Sequence, residues 1–166
     1  MISIIVATDN KFGFGKDGKI PWHYPEDFKF FKETTKEKTL IMGRKTFDDL
    51  LTYSKNGKPL PDRKLVVVTS KPLPLLSNVY KANNTTEALE VAHTFCKDIF
   101  FIGGEQIFKA GLQVADSVYL TYINKDFECD RFFDKDLLES NFDLIQSKKS
   151  EVNKELTFRI YYKNGA

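Results

Sequence analysis

The sequence is poor in the residues that build metal centres and disulfide frameworks: it has two cysteines and two histidines. Cys96 and Cys129 lack the spacing of metal ligands, and His23 and His93 complete no set with them, so no zinc centre is expected. Nothing motivates a disulfide. No apolar run approaches the ~20 residues of a membrane span. The first apolar run, Ile2 to Ala7, follows Met1 directly, is too short for a signal h-region and has no basic leader. Charge of neither sign dominates: 25 Lys+Arg against 23 Asp+Glu give a net charge of +2, which removes any bulk electrostatic case for nucleic acid or a membrane surface. The G-x-G-x-x-G spacing occurs at Gly13 to Gly18, but inside a loop and opening no helix, so the fingerprint of the usual dinucleotide fold is not met. These absences point to a cytoplasmic, reduced protein.

What is present is ordinary in bulk. With 166 residues, 42% of them apolar and 29% charged, the chain suits one domain that buries about 70% of its unfolded surface. The 15 Phe beside a single Trp read as a core-building bias. The informative stretch runs from Ile20 to Thr35. Pro25 suits the first turn of a helix, where its missing N–H costs nothing. At about 100° per residue, Phe28, Phe30, Phe31, Thr34 and Thr35 share one face, and Glu26, Lys29, Lys32, Glu33 and Lys36 share the other. Asp27 breaks the pattern, in the apolar face about 40° from Phe31. An ionised carboxylate there wants a polar partner, from the protein or from a ligand. The plainer alternative is an acid favoured by the dipole at a helix start.

The rest of the chain reads as strands alternating with helices. Ile2–Ala7, Thr39–Met42, Leu65–Thr69, Ile99–Ile102 and Ser117–Ile123 are strands, and Val79–Tyr80 a short one. Phe47–Leu51 reads as a short helix, and another begins at Asn84 or Thr85 with Glu87 in its first turn. Asp9–Lys19, with Gly13, Gly15 and Gly18, reads as a loop free to move. Thr52–Arg63 is turn-rich, and Phe127–Phe133 is a polar loop ending in two aromatics. Phe142–Lys148 and Thr157–Lys163 read as two closing antiparallel strands. This pattern predicts an α/β fold: a mostly parallel central sheet with antiparallel C-terminal edge strands and helices on both faces. Ligands in such sheets bind beyond the carboxyl ends of the strands. Gly43-Arg44 and Gly103-Gly104 each follow a strand and open a helix, the geometry that offers backbone amides to a phosphate.

Several motifs occur in one order along the chain: Ile20-Pro21-Trp22, Pro25-Glu26-Asp27-Phe28 with Phe31, Ile41-Met42-Gly43-Arg44 with Thr46, Leu60-Pro61 with Arg63, Ile102-Gly103-Gly104, and Leu120-Thr121. Singly each is weak. As a set spanning the chain they resemble the dihydrofolate reductase family. The resemblance implies a single domain over residues 1–166, with an adenosine-binding subdomain at roughly 38–96. It implies NADPH-dependent reduction of dihydrofolate to tetrahydrofolate, supplying one-carbon metabolism, by a protein that works as a monomer.

It also implies roles. Asp27, supported by Thr121, would hold the pterin ring, and Phe28, Phe31 and Leu50, with Ile5 and Ala7, would enclose the substrate. Arg63 would hold the α-carboxylate of the glutamate tail, a match for a planar guanidinium. Ala7 and Ile20 would frame the nicotinamide, Gly15 would also belong to the cofactor site, and Trp22 would close the mobile loop beside it. Gly103, Gly104, Glu105 and Gln106, together with Thr46, would hold the pyrophosphate, and Gly43, Lys45, Ile102 and Ile107 would also line the cofactor site. Arg44, helped by Thr69 and Ser70, would take the 2′-phosphate, and Phe108 would lie near the reacting rings. The bond between Gly103 and Gly104 is expected to be cis.

The chain departs from many bacterial members in having Ile20 for Met, Phe30 for Trp and Phe108 for Tyr. Its Thr52–Lys58 segment looks longer than theirs. Two other functions fit the same fold. One is a reductase of a pyrimidine intermediate in flavin synthesis, which the pairing of Asp27 with Arg63 argues against. The other is a non-catalytic assembly protein, which retention of the acid and the glycines argues against.

Overall fold

The computed structural model describes residues 1–54 and 57–165. In chain order the elements are β1 (Ile2–Thr8), β2 (Gly13–Gly15), α1 (Pro25–Thr35), β3 (Thr39–Gly43), α2 (Arg44–Tyr53), β4 (Lys64–Val68) and β5 (Val79–Ala82). There follow α3 (Thr85–His93), β6 (Ile99–Phe101), α4 (Glu105–Val114), β7 (Ser117–Ile123), β8 (Arg131–Phe132), α5 (Lys135–Asn141), β9 (Phe142–Lys149) and β10 (Leu156–Lys163). Eight strands make one sheet in the order β5-β4-β3-β6-β1-β7-β10-β9. All neighbours are parallel except the β7–β10 and β10–β9 pairs.

The sheet is parallel where both its faces are covered. Alternate residues of the central strands enter two separate apolar clusters. Ile4, Val6, Ile41, Val66, Phe101, Val118 and Leu120 lie in one, and Ile5, Leu40, Met42, Leu65, Val67 and Phe100 in the other. Two-sided burial is why these strands read as unbroken apolar runs rather than as alternation. The edge strand β9 behaves differently: only Phe142 in it is buried, so both of its faces meet solvent.

α1 spans the predicted residues, with Pro25 in its first turn. Its apolar face does not enter the core as a whole. Thr35 is its one buried residue, Phe28 is 47% exposed, and only Phe30 and Phe31 lean on the second cluster. The helix therefore presents its aromatic face to a cleft above the sheet.

Several local expectations change in the structure. α2 begins at Arg44 rather than Phe47, because the chain turns helical directly from Gly43. The loop at Asp9–Lys19 contains β2, and the loop at Phe127–Phe133 contains β8. These two short strands pair with each other, a contact between distant segments that no local pattern signals. α5 was not foreseen; its seven residues are too few for a periodic signal, though Asp134 caps it by accepting from the Leu137 amide. Within the expected insertion at 52–58, residues 55 and 56 lie outside the described residues. Among the described residues no helix is long and apolar enough to cross a membrane, and no cluster of side chains could hold a metal ion.

Candidate active site

The site lies at the carboxyl ends of β1, β3, β6 and β7. Ala7 on β1 stands in register with Thr121 on β7. The Thr121 hydroxyl, on a residue 3% exposed, donates to Asp27 Oδ1 at 2.7 Å. This bond pins the helix acid above the sheet. Burial raises the Asp27 pKa above the usual carboxylate value; the Thr121 bond opposes the rise and the nearby Glu26 charge adds to it. Among the described residues Asp27 therefore has one fixed side-chain hydrogen bond, at Oδ1. Phe28 and Phe31 stack beside it, with centroids 6.3 Å apart and planes 19° apart. Ile5, Phe31 and Leu50 meet in one apolar cluster.

Both ends of α1 are held by polar contacts from elsewhere. Tyr24 has no side-chain cap bond; its hydroxyl instead donates to Glu155 Oε1 at 3.0 Å. Burial, then the Glu155 carboxylate, push this phenol up to about 12. Glu26 Oε1 accepts from Ser150 Oγ at 2.6 Å and from Asn153 Nδ2 at 2.8 Å. The β9–β10 turn thus fixes the helix start that carries Asp27. At the other end Arg63, 7% exposed, donates to Thr35 Oγ1, to the Pro61 carbonyl and to the Lys32 carbonyl. A helix terminus leaves such carbonyls without intrahelical partners, and Arg63 satisfies one of them. Of its five N–H donors, three are spent here and two have no partner among the described residues. Sequence reasoning missed Tyr24, Glu155 and the second function of Arg63, since each depends on a partner far along the chain.

The second half of the cleft is built from two helix starts. The Gly43 amide donates to the Gly103 carbonyl at 2.9 Å, which sets the beginnings of α2 and α4 side by side. Neither helix has a side-chain cap bond at its N-terminus, so amides of both first turns are available to an anion. The Gly103–Gly104 bond is cis, as expected. Gly103 has φ of +116°, a conformation that L side chains rarely adopt. A Cβ there would come within 3.0 Å of the Phe108 ring. At Gly104 a Cβ would meet nothing within 4 Å, so the backbone is open for close approach. This donor set fits a pyrophosphate.

One family model, Dihydrofolate reductase, matches residues 1–164. The chain belongs to the dihydrofolate reductase family. It is 36% identical to a dihydrofolate reductase of Bacillus subtilis over 100% of its own length and 96% of that protein's. It is 34% identical to one of Enterococcus faecium over 90% and 86% of the two chains. Among solved structures it superposes on a dihydrofolate reductase from Enterococcus faecalis, complexed with NADP(H) and RAB-propyl, with a TM-score of 0.84 at 32% identity. That match covers 99% of this chain and 97% of the other.

Within this dihydrofolate reductase fold the remaining site residues fall into three groups. Arg44 reaches from the start of α2 to the segment after β4: Nε donates to Asp48 at 3.0 Å and a terminal nitrogen to the Pro72 carbonyl at 3.0 Å. Thr69 and the exposed Ser70 open that segment, and Thr69 Oγ1 accepts from the Lys71 amide. Lys45 is paired with Asp49 on the surface, and Thr46 lies beside Gly103. Ile102 donates its amide to the Ile41 carbonyl; Glu105 and Gln106 occupy the first turn of α4.

The second group turns inward. Ile107 and Phe108 are 4% and 5% exposed, so their side chains belong to the core. Phe108 packs edge-on against Phe14 at 5.0 Å and Phe133 at 5.6 Å. Its hydroxyl-free ring suits that apolar site.

The third group is the loop before α1. Ile20 is 66% exposed, whereas Trp22 packs on Phe127 with centroids 5.2 Å apart. A Cβ on Gly18 would touch the Lys45 side chain at 3.4 Å, so the loop tip reaches the start of α2. Gly15 is buried in β2, and its carbonyl accepts from the Asp130 amide.

Proposed function

We propose that this chain reduces 7,8-dihydrofolate to tetrahydrofolate with NADPH, using the residues assembled above. The observation that carries the reading is the Asp27–Thr121 pair, set in an aromatic-walled cleft facing two adjoining helix starts. A carboxylate with one oxygen fixed and its helix face open suits the paired donors of a pterin. NADPH supplies the hydride, which goes to carbon 6 of the pterin. Asp27 holds the far side of the ring and favours its protonated form, and water brings the proton to nitrogen 5. Phe28, Phe31, Leu50 and Ile5 flank the bound rings. The loop carrying Ile20 and Trp22 excludes bulk water from the nicotinamide beside Ala7. The amides of α2 and α4, with Thr46 and Lys45, bind the pyrophosphate. Residues 38–96 serve as the adenosine-binding subdomain of a cytoplasmic monomer. Loss of NADPH absorbance on adding dihydrofolate, with no such loss on adding a pyrimidine intermediate of flavin synthesis, tests the reading.

Cofactor choice follows from Arg44. A 2′-phosphate needs a cation, and Arg44 is already oriented by Asp48 and Pro72 toward the segment holding Thr69 and Ser70. Arg44→Ala is expected to erase most of the preference for NADPH over NADH, by roughly 2 kcal/mol or about thirtyfold. The ratio of kcat/KM values for the two cofactors measures it. An unchanged ratio would remove Arg44 from this role.

A further inference from the structure

Asp9 is wholly buried, directly after β1, and outside the site described above. Its carboxylate accepts three backbone bonds. Oδ1 takes the Lys11 amide at 2.9 Å and the Gly13 amide at 2.8 Å. Oδ2 takes the Phe127 amide at 3.1 Å. The first two bonds close a tight turn at the root of the 9–24 loop; the third crosses to the segment after β7. Charge-assisted bonds of this kind are roughly twice as strong as neutral ones.

The same place shows a fitted contact. A Cβ on Gly13 would lie 2.2 Å from Cys129 Cβ and 2.8 Å from its sulfur. Gly13 is therefore small because the Cys129 side chain occupies its space. Burial, followed by the Asp9 charge, pushes this thiol up to about 11, so it stays protonated beside the carboxylate. Further along, the loop is held differently. The Asp17 amide donates to Asp130 Oδ2, an exposed contact, and Ile20 stands in solvent.

We propose that Asp9 is a positioning residue for hydride transfer, fixing the root of the loop to Phe127 and leaving the part beyond Gly15 to move. The consequence falls on Trp22, which packs on the ring of the same Phe127 whose amide Asp9 holds. Movement of the 127 segment relative to β1 displaces Trp22 and opens the nicotinamide side of the cleft. The proposal rests on the reading of residues 9–24 as a lid.

Asp9→Asn isolates the crossing bond. The amide oxygen keeps the Lys11 and Gly13 donors, but its NH2 then faces the Phe127 N–H, donor against donor. Single-turnover hydride transfer with NADPH and dihydrofolate is expected to slow about tenfold or more, while KM for dihydrofolate moves by less than about threefold. Emission from Trp22, the only tryptophan in the chain, should shift toward that of an exposed indole in the NADPH-bound enzyme. Gly13→Ala provides a second route, leaving the carboxylate chemically intact but forcing Cys129 away and crowding Asp9 Oδ1, 3.2 Å from the added Cβ. It should slow hydride transfer similarly, and Gly13→Ala with Cys129→Gly should restore it. A purely structural role predicts lower thermal stability with hydride transfer unchanged in the folded protein, and that result in either variant overturns the proposal. Trp22 emission in the wild type that ignores NADPH overturns the lid reading, and the proposal with it. Emission that responds to NADPH but is indifferent to both variants overturns the Asp9 role alone.

Discussion

Asp27→Asn slows hydride transfer by at least about a hundredfold near neutral pH, within the range ascribed to positioned acid–base groups. The loss shrinks as the pH falls. Asparagine keeps the shape and the Thr121 contact but cannot favour a protonated ring. Nitrogen 5 of dihydrofolate is a weak base, so at neutral pH little of it carries a proton unless the site helps; in acid, solvent protonates it instead. Single-turnover rates against pH for both proteins measure the effect. Parallel profiles would reduce Asp27 to an acid at a helix start. Stability should move the other way. Burial raises the Asp27 pKa, so the folded chain holds this proton to higher pH than the unfolded chain does. The cost of ionising Asp27 in the fold is absent below the unfolded value and complete above the folded one. Asp27→Asn removes that cost. The variant should unfold at higher temperature than the wild type at neutral pH, with the gap closing toward acid.

Arg63→Leu raises KM for dihydrofolate by about thirtyfold or more, as expected for truncating one partner of a hydrogen-bonded charge pair. KM for a tailless pterin moves much less. Among the described residues two N–H donors of Arg63 have no protein partner, the number needed for a bidentate carboxylate. The other three tie it to Thr35, Pro61 and Lys32, so the guanidinium is held rigid before the substrate arrives. Burial lowers its pKa, but a guanidinium stays charged at any working pH. Those same bonds mean that leucine also leaves the end of α1 unsatisfied, at roughly 1–3 kcal/mol for each group. Thermal unfolding should therefore show a loss of stability beside the change in KM. Equal damage to both substrates would mean that Arg63 serves only the fold.

Much of this protein was legible in its sequence, for reasons local to each stretch. The β-branched runs at Ile2, Leu65 and Ser117 bury both faces of a sheet and leave no other reading. Pro25 marks the start of α1, and the conflict between Asp27 and its aromatic neighbours marks a site. Glycine after a strand marks the two helix starts that offer amides to an anion.

What the sequence could not decide was which distant segments meet. β2 and β8 are three and two residues long and are strands only because they pair. Asp9 and Cys129 look like ordinary loop residues until the fold sets one against Gly13 and Phe127 and the other into the space above Gly13. Arg63 reads as a ligand-binding cation, yet two of its donors go to the end of α1 and a third to Pro61. Local sequence determines the secondary structure and the kind of chemistry on offer. The tertiary structure decides which buried donors and acceptors are used up by the protein and which are left for a ligand, because those partners lie up to 131 residues apart.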